Sequence, residues 1–448
     1  MSDLLSIGAS GVKAYQTALT TVSENIANAA TPGYAKRTAD LREVAPALGI
    51  ASGGKIAVGQ GVIAAGITRS ADSLRAADVR NASADLARTD TSVEWLGRIQ
   101  NALTGNQVGE QITGFFNSAK TVAADPTASA PRAAMLEQAK TVAASFAATG
   151  KALDSLDADL DTTATQAVTT LTALGTALAK VNDGLGRVQP GSNGAAQLAD
   201  QRDSILNQMS AISDLSVSTD SAGRASVKLG NGGGPTLVAG NQSASVGFAR
   251  GTDGTVAFTV QAADGVAPVT SSGGALAGVV EAAARIADAR IQLGGIASAF
   301  TSGVNAVQAE GSDLTGTAGA ALFATGSSAT DITVALTDPN GIAAAAKGAG
   351  PRDNSNLANL ATLRTTGAFE TKATALVSSN AATLASRQQV ATAQGSIRDN
   401  AIAARDAVSG VNLDSEAVDL LRFQQAYSAS SRVIQVARDT LQSILDIR

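Results

Sequence analysis

The sequence contains neither cysteine nor histidine. Disulfides are therefore excluded, as are the commonest nucleophile and general base and the usual zinc ligands. Aromatic residues make up only 3% of the chain and charged residues 16%. With so few large side chains, burial is expected from many thin Ala, Leu and Val contacts between long helices rather than from one thick core. A net charge of −5 argues against nucleic acid, whose phosphates call for a basic surface. No stretch approaches the roughly 20 apolar residues that span a bilayer, so membrane insertion is not expected. The opening residues MSDLLSIGASGVKAY lack the basic and apolar regions of a cleaved secretory signal. The protein is expected to stay inside the cell or to leave by a route that cleaves no such signal.

What the sequence does have is helical periodicity. Leu5, Gly8, Val12, Tyr15, Leu19, Val22 and Ile26 recur at steps of three and four, which predicts a coiled-coil-like seam over residues 1–30. Pro32 lacks an N–H and biases its predecessor away from helix, so the helix must end between Asn28 and Thr31. In Thr31-Pro32-Gly33-Tyr34, Pro then Gly suits the two central positions of a type II turn, with Gly33 supplying the positive φ. Residues 33–72 read as loop plus hairpin, with β-like runs at Ile56-Ala57-Val58 and Val62-Ile63. Helix resumes near residue 73 and again over about 107–122, a segment that carries Phe115 and Phe116.

After Pro131, leucines, valines and Phe146 hold the three-and-four spacing from Val142 to Leu185 with no intervening proline. This predicts one long helix of about twelve turns. A helix over 195–213 follows. Residues 215–272 alternate in short runs between Gly/Asp/Asn turns and predict a small antiparallel β region. Helix returns at 275–309 and, after a looser stretch, from about 356 to 408. The last segment repeats Leu413, Leu420, Phe423, Tyr427, Ile434, Leu441 and Ile444 in a near-heptad stripe, with Asp419, Arg422, Ser430 and Gln442 assigned to the opposite side.

The expected fold is thus mainly α with a smaller β domain, nested by sequence. Residues 1–32 and 411–448 form a paired helical unit. Residues 33–213 and 273–410 form a helical middle with a short β/loop region at its start, and 214–272 form the inserted β domain. Each terminal helix is marginal alone, and together they could pair antiparallel. The N-terminal helix has only Asp3, Lys13 and Glu24 as charges, with a small, neutral second face. A solvated helix normally carries more charge, which favours assembly contacts on several sides.

No chemistry-bearing constellation emerges, so neither enzymatic activity nor a metal or other cofactor is expected. Asp154, Asp157, Asp159 and Asp161 sit inside a helical pattern, without the turn glycine and terminal glutamate of a calcium loop, and read as a solvated face. Asp200, Arg202 and Asp203 could form a local ion pair but read first as a solvated helix face, and Lys36, Arg37 and Arg42 read as surface. The Gly-rich run at 229–235 lacks the Gly-Lys-Ser/Thr ending of a phosphate loop and reads as a turn.

The run NIANAATPGY (25–34) resembles the N-terminal motif of the bacterial flagellar rod, hook and hook-associated proteins. VNLDSEAVDLLRFQQAYSASSRVIQVARDTLQSILDIR (411–448) resembles their C-terminal segment. Its Arg422-Phe423-Gln424-Gln425 stretch followed by Tyr427 is similar to the hook–filament junction members, as are LADQRDSILNQMSAISDLSV (198–217) and GGALAGVVEAAARIADA (273–289). The resemblance implies export unfolded through the flagellar type III channel and extracellular assembly as a ring at the hook tip. The terminal helices would lie in the tube core, with the turn at Asn28, Thr31, Pro32, Gly33 and Tyr34 redirecting the chain outward. Implied partners are further copies of the chain, hook subunits, a second hook-associated junction protein and an export chaperone. The alternatives are a hook or rod subunit, a host-interaction protein of a virulence type III system, and an enzyme on a helical stalk.

Overall fold

The computed structural model describes residues 2–31, 33–44, 61–230, 232–263 and 265–446, with side chains from Leu4 onward. Pro32 and the Ile56-Ala57-Val58 run lie outside the described residues. Helix α1 spans Ser2–Ala27, and strands β1 (Arg37–Glu43) and β2 (Val62–Arg69) pair antiparallel, Arg37 opposite Arg69 and Glu43 opposite Val62. The hairpin is therefore built from β1 and β2, with a bulge between Asp40 and Leu41.

Four helices follow: α2 (Ser73–Gly105), α3 (Val108–Ala124), α4 (Ser129–Arg187) and α5 (Asn193–Ile212). Asp72 caps α2 by accepting from the Leu74 and Arg75 amides, and Ser192 caps α5 by accepting from the Ala195 amide, each satisfying donors that a helix start leaves free. The 59 residues of α4 realise the uninterrupted spacing. Val142, Phe146, Leu153, Leu160, Leu171 and Leu178 are fully buried, and Leu156 and Leu174 lie half-buried at the edge of the stripe.

The β region forms two antiparallel sheets. One is ordered β3 (Leu215–Thr219), β4 (Ala225–Leu229), β5 (Thr236–Ala239), β6 (Gln242–Ser243), the other β7 (Ser245–Arg250), β8 (Val256–Ala262), β9 (Gly265–Val269). Both are fastened to α4. The fully buried Asn182 donates to the carbonyls of Ala225 (2.8 Å) and Gly240 (2.7 Å) and accepts from the Ala225 amide (2.8 Å). On the second sheet, the Val246 amide donates to the Thr172 hydroxyl at 3.0 Å.

Here the acidic run departs from the expected solvated face at Asp157, while Asp154 and Asp159 stay exposed as expected. Asp157 is half-buried between Arg250 (3.1 Å) and Arg290 (2.8 Å), Asp161 meets Arg250 at 2.6 Å, and Asp154 meets Arg290 at 2.8 Å. Burial raises the Asp157 pKa and the two guanidiniums pull it back. The run is a docking strip for arginines that arrive from β7 and from α6 (Gly274–Glu310).

Beyond α6, β10 (Gly311–Ser312) pairs with β13 (Ala345–Ala346), and β11 (Phe323–Thr325) with β12 (Ile332–Val334). The single helix expected over 356–408 is two: α7 (Ser355–Gly367) and α8 (Phe369–Ser409). Ala368 between them is left-handed, φ 47°. That turn lets Phe369 fold back against Gly367, where any Cβ would meet its ring. Phe369 thereby enters the core, and this burial outweighs the strain at Ala368.

That core is thicker than composition suggests. Six of the nine phenylalanines converge in the helical body, with Phe300 at the centre. Its ring lies 5.4 Å from Phe115, 5.5 Å from Phe323 and from Phe369, 6.0 Å from Phe116 and 6.1 Å from Phe146. The expectation of thin contacts alone is corrected: aromatics are scarce in the chain but concentrated where α3, α4, α6 and α8 meet. The last helix, α9 (Leu413–Leu445), capped by Asn412, runs antiparallel to α1, with Gly8 against Ile434, Gly11 against Ser430 and Asn25 against Glu416.

Candidate assembly site at the corner of the terminal helices

The face that α1 buries consists of small and polar side chains: Gly8, Gly11, Ala14, Ala18 and Thr21, then Val22 and Asn25. Of the predicted seam, Val22 is buried, Leu5, Val12, Tyr15 and Leu19 are half-buried, and Ile26 is exposed. On α9, Leu420, Phe423, Tyr427 and Ile434 are half-buried, whereas Leu413, Leu441 and Ile444 are exposed. The Tyr15 and Phe423 rings face each other at 6.4 Å. Val418, Leu421, Val433, Val436 and Leu445 add to the apolar surface that α9 leaves uncovered.

One assignment is corrected. Ser430 lies inside the α1–α9 contact, where a Cβ on Gly11 would meet its hydroxyl at 2.6 Å. Its spacing, three after Tyr427 and four before Ile434, puts it on the same helical face.

At the end of α1 the chain turns a corner. The Tyr34 amide donates to the Thr31 carbonyl at 3.1 Å, and Gly33 has φ +80°. These are the bond and the backbone angle of the expected type II turn. Asn28 extends the helix end, its Nδ2 donating to the Glu24 carbonyl at 2.9 Å, and its Oδ1 accepts from the Thr31 hydroxyl at 3.3 Å. Nothing would lie within 4 Å of a Cβ on Gly33, so its glycine is required by backbone angle alone. Gly33→Val is expected to destabilise the corner by about 1–3 kcal/mol. Faster proteolysis within 28–37 would reveal it, and an unchanged cleavage rate would refute it.

Asn25 is the hub of the corner and is fully buried. Its Nδ2 donates to the Arg37 carbonyl (2.7 Å) and to Glu416 Oε2 (2.9 Å). Its Oδ1 accepts from the Arg37 amide (3.0 Å) and the Tyr34 hydroxyl (2.9 Å). The Arg37 guanidinium sits 4.9 Å over the Tyr34 ring and pairs with Asp200 at 2.7 Å and Glu24 at 3.3 Å. It also donates to the Asn193 side chain at 2.6 Å. Arg69 joins Asp200 (2.6 Å) to Asp203 (2.7 Å), and Lys36 meets Glu416 at 2.7 Å.

The solvated readings of Asp200, Arg202, Asp203, Lys36 and Arg37 are thereby corrected. Arg37 is only 4% exposed, and its carboxylate partners come from other elements, which a local reading of the sequence cannot see. Arg202 pairs with Asp203 at 2.7 Å and donates to the Gly223 carbonyl at 2.6 Å. Arg42 does remain on the surface, paired with Asp40.

Burial pushes the Tyr34 phenol up to about 12, with Arg37 opposing the shift. A folded-state value above the unfolded one means that the fold retains the proton. The hydrogen bond to Asn25 contributes fully below pH 10 and is lost as pH rises through about 12. Tyr34 is therefore expected to form phenolate only as pH nears about 12. An absorbance titration compared with Tyr34→Phe checks this, and loss of an early-titrating component in the variant would contradict it.

Sequence reasoning missed Asn25 and Glu416, although a signal was present. Both are polar residues in phase with an apolar stripe: Asn25 three after Val22, and Glu416 four before Leu420. The arrangement offers no reaction centre. It fixes the angle between a helix pair and a helical body, and it leaves one face of the pair apolar and open.

With that geometry in hand, the chain can be set beside known proteins. Residues 96–323, just over half of the chain, match the family described as flagellar hook-associated protein FlgK helical domain. The chain belongs to that family. Its two ends match rod-protein families, residues 5–34 the flagella basal body rod protein and 406–447 the flagellar basal body rod FlgEFG protein C-terminal. Flagellar hook-associated protein 1 of Salmonella typhimurium is 30% identical over 338 residues, and its Escherichia coli counterpart 27% over 337. Each alignment covers 73% of this chain and 60% of the relative. The flagellar hook junction protein FlgK from Burkholderia pseudomallei superposes with a TM-score of 0.50 at 25% identity, over 56% of this chain and 47% of that one. Family membership makes the protein a component of the bacterial flagellum. Among the described residues, no helix is long and apolar enough to cross a membrane.

Proposed function

We propose that the protein is a structural subunit of the joint between flagellar hook and filament, without enzymatic activity of its own. The observation that carries this reading is the terminal pair, α1 and α9. It is held at a fixed angle by the Asn25 corner and presents an uncovered apolar face to neighbours. In this reading Leu5, Val12, Tyr15, Leu19 and Ile26 of α1, with Leu413, Leu420, Phe423, Tyr427, Ile434, Leu441 and Ile444 of α9, form the seam between copies in a ring. The helical body and the β sheets face outward. Hook subunits lie on one side of the ring and a second junction protein on the other.

Export unfolded through the flagellar type III channel, aided by a chaperone, fits a chain with no cysteine to oxidise on arrival. The two ends match rod-protein families while the interior matches the FlgK helical domain. The junction reading rests on that interior, and a hook or rod subunit is the reading it displaces. Electron microscopy of a deletion strain separates the two. Hooks without filaments, restored by the intact gene, are expected, whereas absence of hooks would assign the protein to the hook or rod.

A further inference from the structure

We propose that Glu416 is a latch between the two ends of the chain, so that α1 locks onto the body only when α9 is seated. The carboxylate is 1% exposed and is the one charged side chain that α9 buries among the described residues. It accepts one hydrogen bond, from Asn25 at 2.9 Å, and its other oxygen forms an ion pair with the Lys36 ammonium at 2.7 Å. Asn25 lies at the end of α1, 391 positions away. Lys36 lies on the strap that leads into β1, and its amide is tied to the Ser409 carbonyl at 2.8 Å. The latch thus closes on α1 and on the strap at once.

The chemistry of the site makes closure depend on α9. Asn25 satisfies the Arg37 backbone with its Oδ1 and one Nδ2 hydrogen, and points the remaining Nδ2 hydrogen at Glu416. Without the carboxylate, that buried donor has no acceptor in place, and Lys36 stands beside the buried Arg37 with no anion of its own. A buried donor without its acceptor is costly, and a charge-assisted bond is the strong kind. Glu416 also sits in the first turn of α9, where the helix dipole favours a negative charge. Seating of α9 and completion of the corner are therefore one event. The bonds run on from Asn25 through Arg37 to Asp200 and Arg69, so the same event reaches α5 and the hairpin.

Hydrogen exchange on the full-length monomer tests the latch with Glu416→Ala and Glu416→Gln. With Glu416→Ala, amides of α1 beyond Leu5 are expected to exchange about tenfold faster or more, and those of α3 and α4 at the parental rate. Glu416→Gln keeps an acceptor for Asn25 but loses the ion pair with Lys36, so its α1 rates should fall between the two. Unchanged α1 exchange in Glu416→Ala would overturn the latch, leaving the hairpin and the glycine contacts as what holds α1. Equal acceleration in α3 and α4 would overturn it as well, since Glu416 would then be a general stability contact. Circular dichroism showing α9 still helical in Glu416→Gln keeps the comparison between variants valid.

Discussion

Phe300→Ala is expected to destabilise the helical body by about 3–5 kcal/mol, the upper range for emptying a packed aromatic site. Five other rings touch Phe300, from α3 (Phe115, Phe116), α4 (Phe146), β11 (Phe323) and the start of α8 (Phe369). A cavity bounded by five separate side chains on four elements cannot collapse without moving a backbone, so the cavity cost adds to the lost transfer free energy. The fall in melting temperature should be on the order of 10 °C for a body of this size. Phe423→Ala supplies the contrast. Its ring is half-buried and, among the described residues, faces Tyr15 as its one aromatic neighbour, so the melting temperature of the body should stay near the parental value. Equal shifts for the two variants would mean that the cluster is not the centre of the body.

That cluster also marks the limit of what the sequence discloses. Spacing along one element is local, so the long helix α4, its buried stripe and its proline-free run can be read directly. The β region, the final helix and the Gly33 turn are legible for the same reason. Convergence is not local. Nothing near Phe323 or Phe369 says that they will meet Phe115, and the α7–α8 break at Ala368 exists because Phe369 is drawn into that meeting.

The corner behaves likewise. Tyr34 and Gly33 stand in a recognisable motif, whereas Arg37 meets Asp200 and Asn193 of α5, and Asn25 meets Glu416 of α9. The terminal seam was legible in period but shifted in phase. Large residues suggested the contact face, yet α1 turns its glycines and alanines to α9, because two helices approach closely where side chains are smallest. The larger residues are left at the margins or in the open, where a neighbouring copy could cover them.

Gly8→Val is the substitution expected to do most damage outside the body. A Cβ on Gly8 would lie 2.7 Å from the Ile434 side chain, 3.3 Å from the Ser430 carbonyl oxygen and 3.4 Å from the Ile434 amide nitrogen. Ile434 could turn aside, but the two backbone atoms cannot. Overpacking of this kind costs about 1–3 kcal/mol. In a core with many contacts that would be absorbed. The α1–α9 pair has few, since each helix is marginal alone in water and α9 packs on α1 and on little else of its own chain. The pair should therefore part, and amides of both helices should lose protection while the body keeps its melting temperature. In cells, the junction reading then expects the protein in the medium and hooks without filaments. Adding Ile434→Ala removes the closest clash but neither backbone contact, so rescue should be partial. Full rescue would mean that side-chain volume alone sets the spacing of the helices. No effect of Gly8→Val on exchange would mean that α1 and α9 do not pair at this distance, and the seam would have to be sought on the larger residues instead.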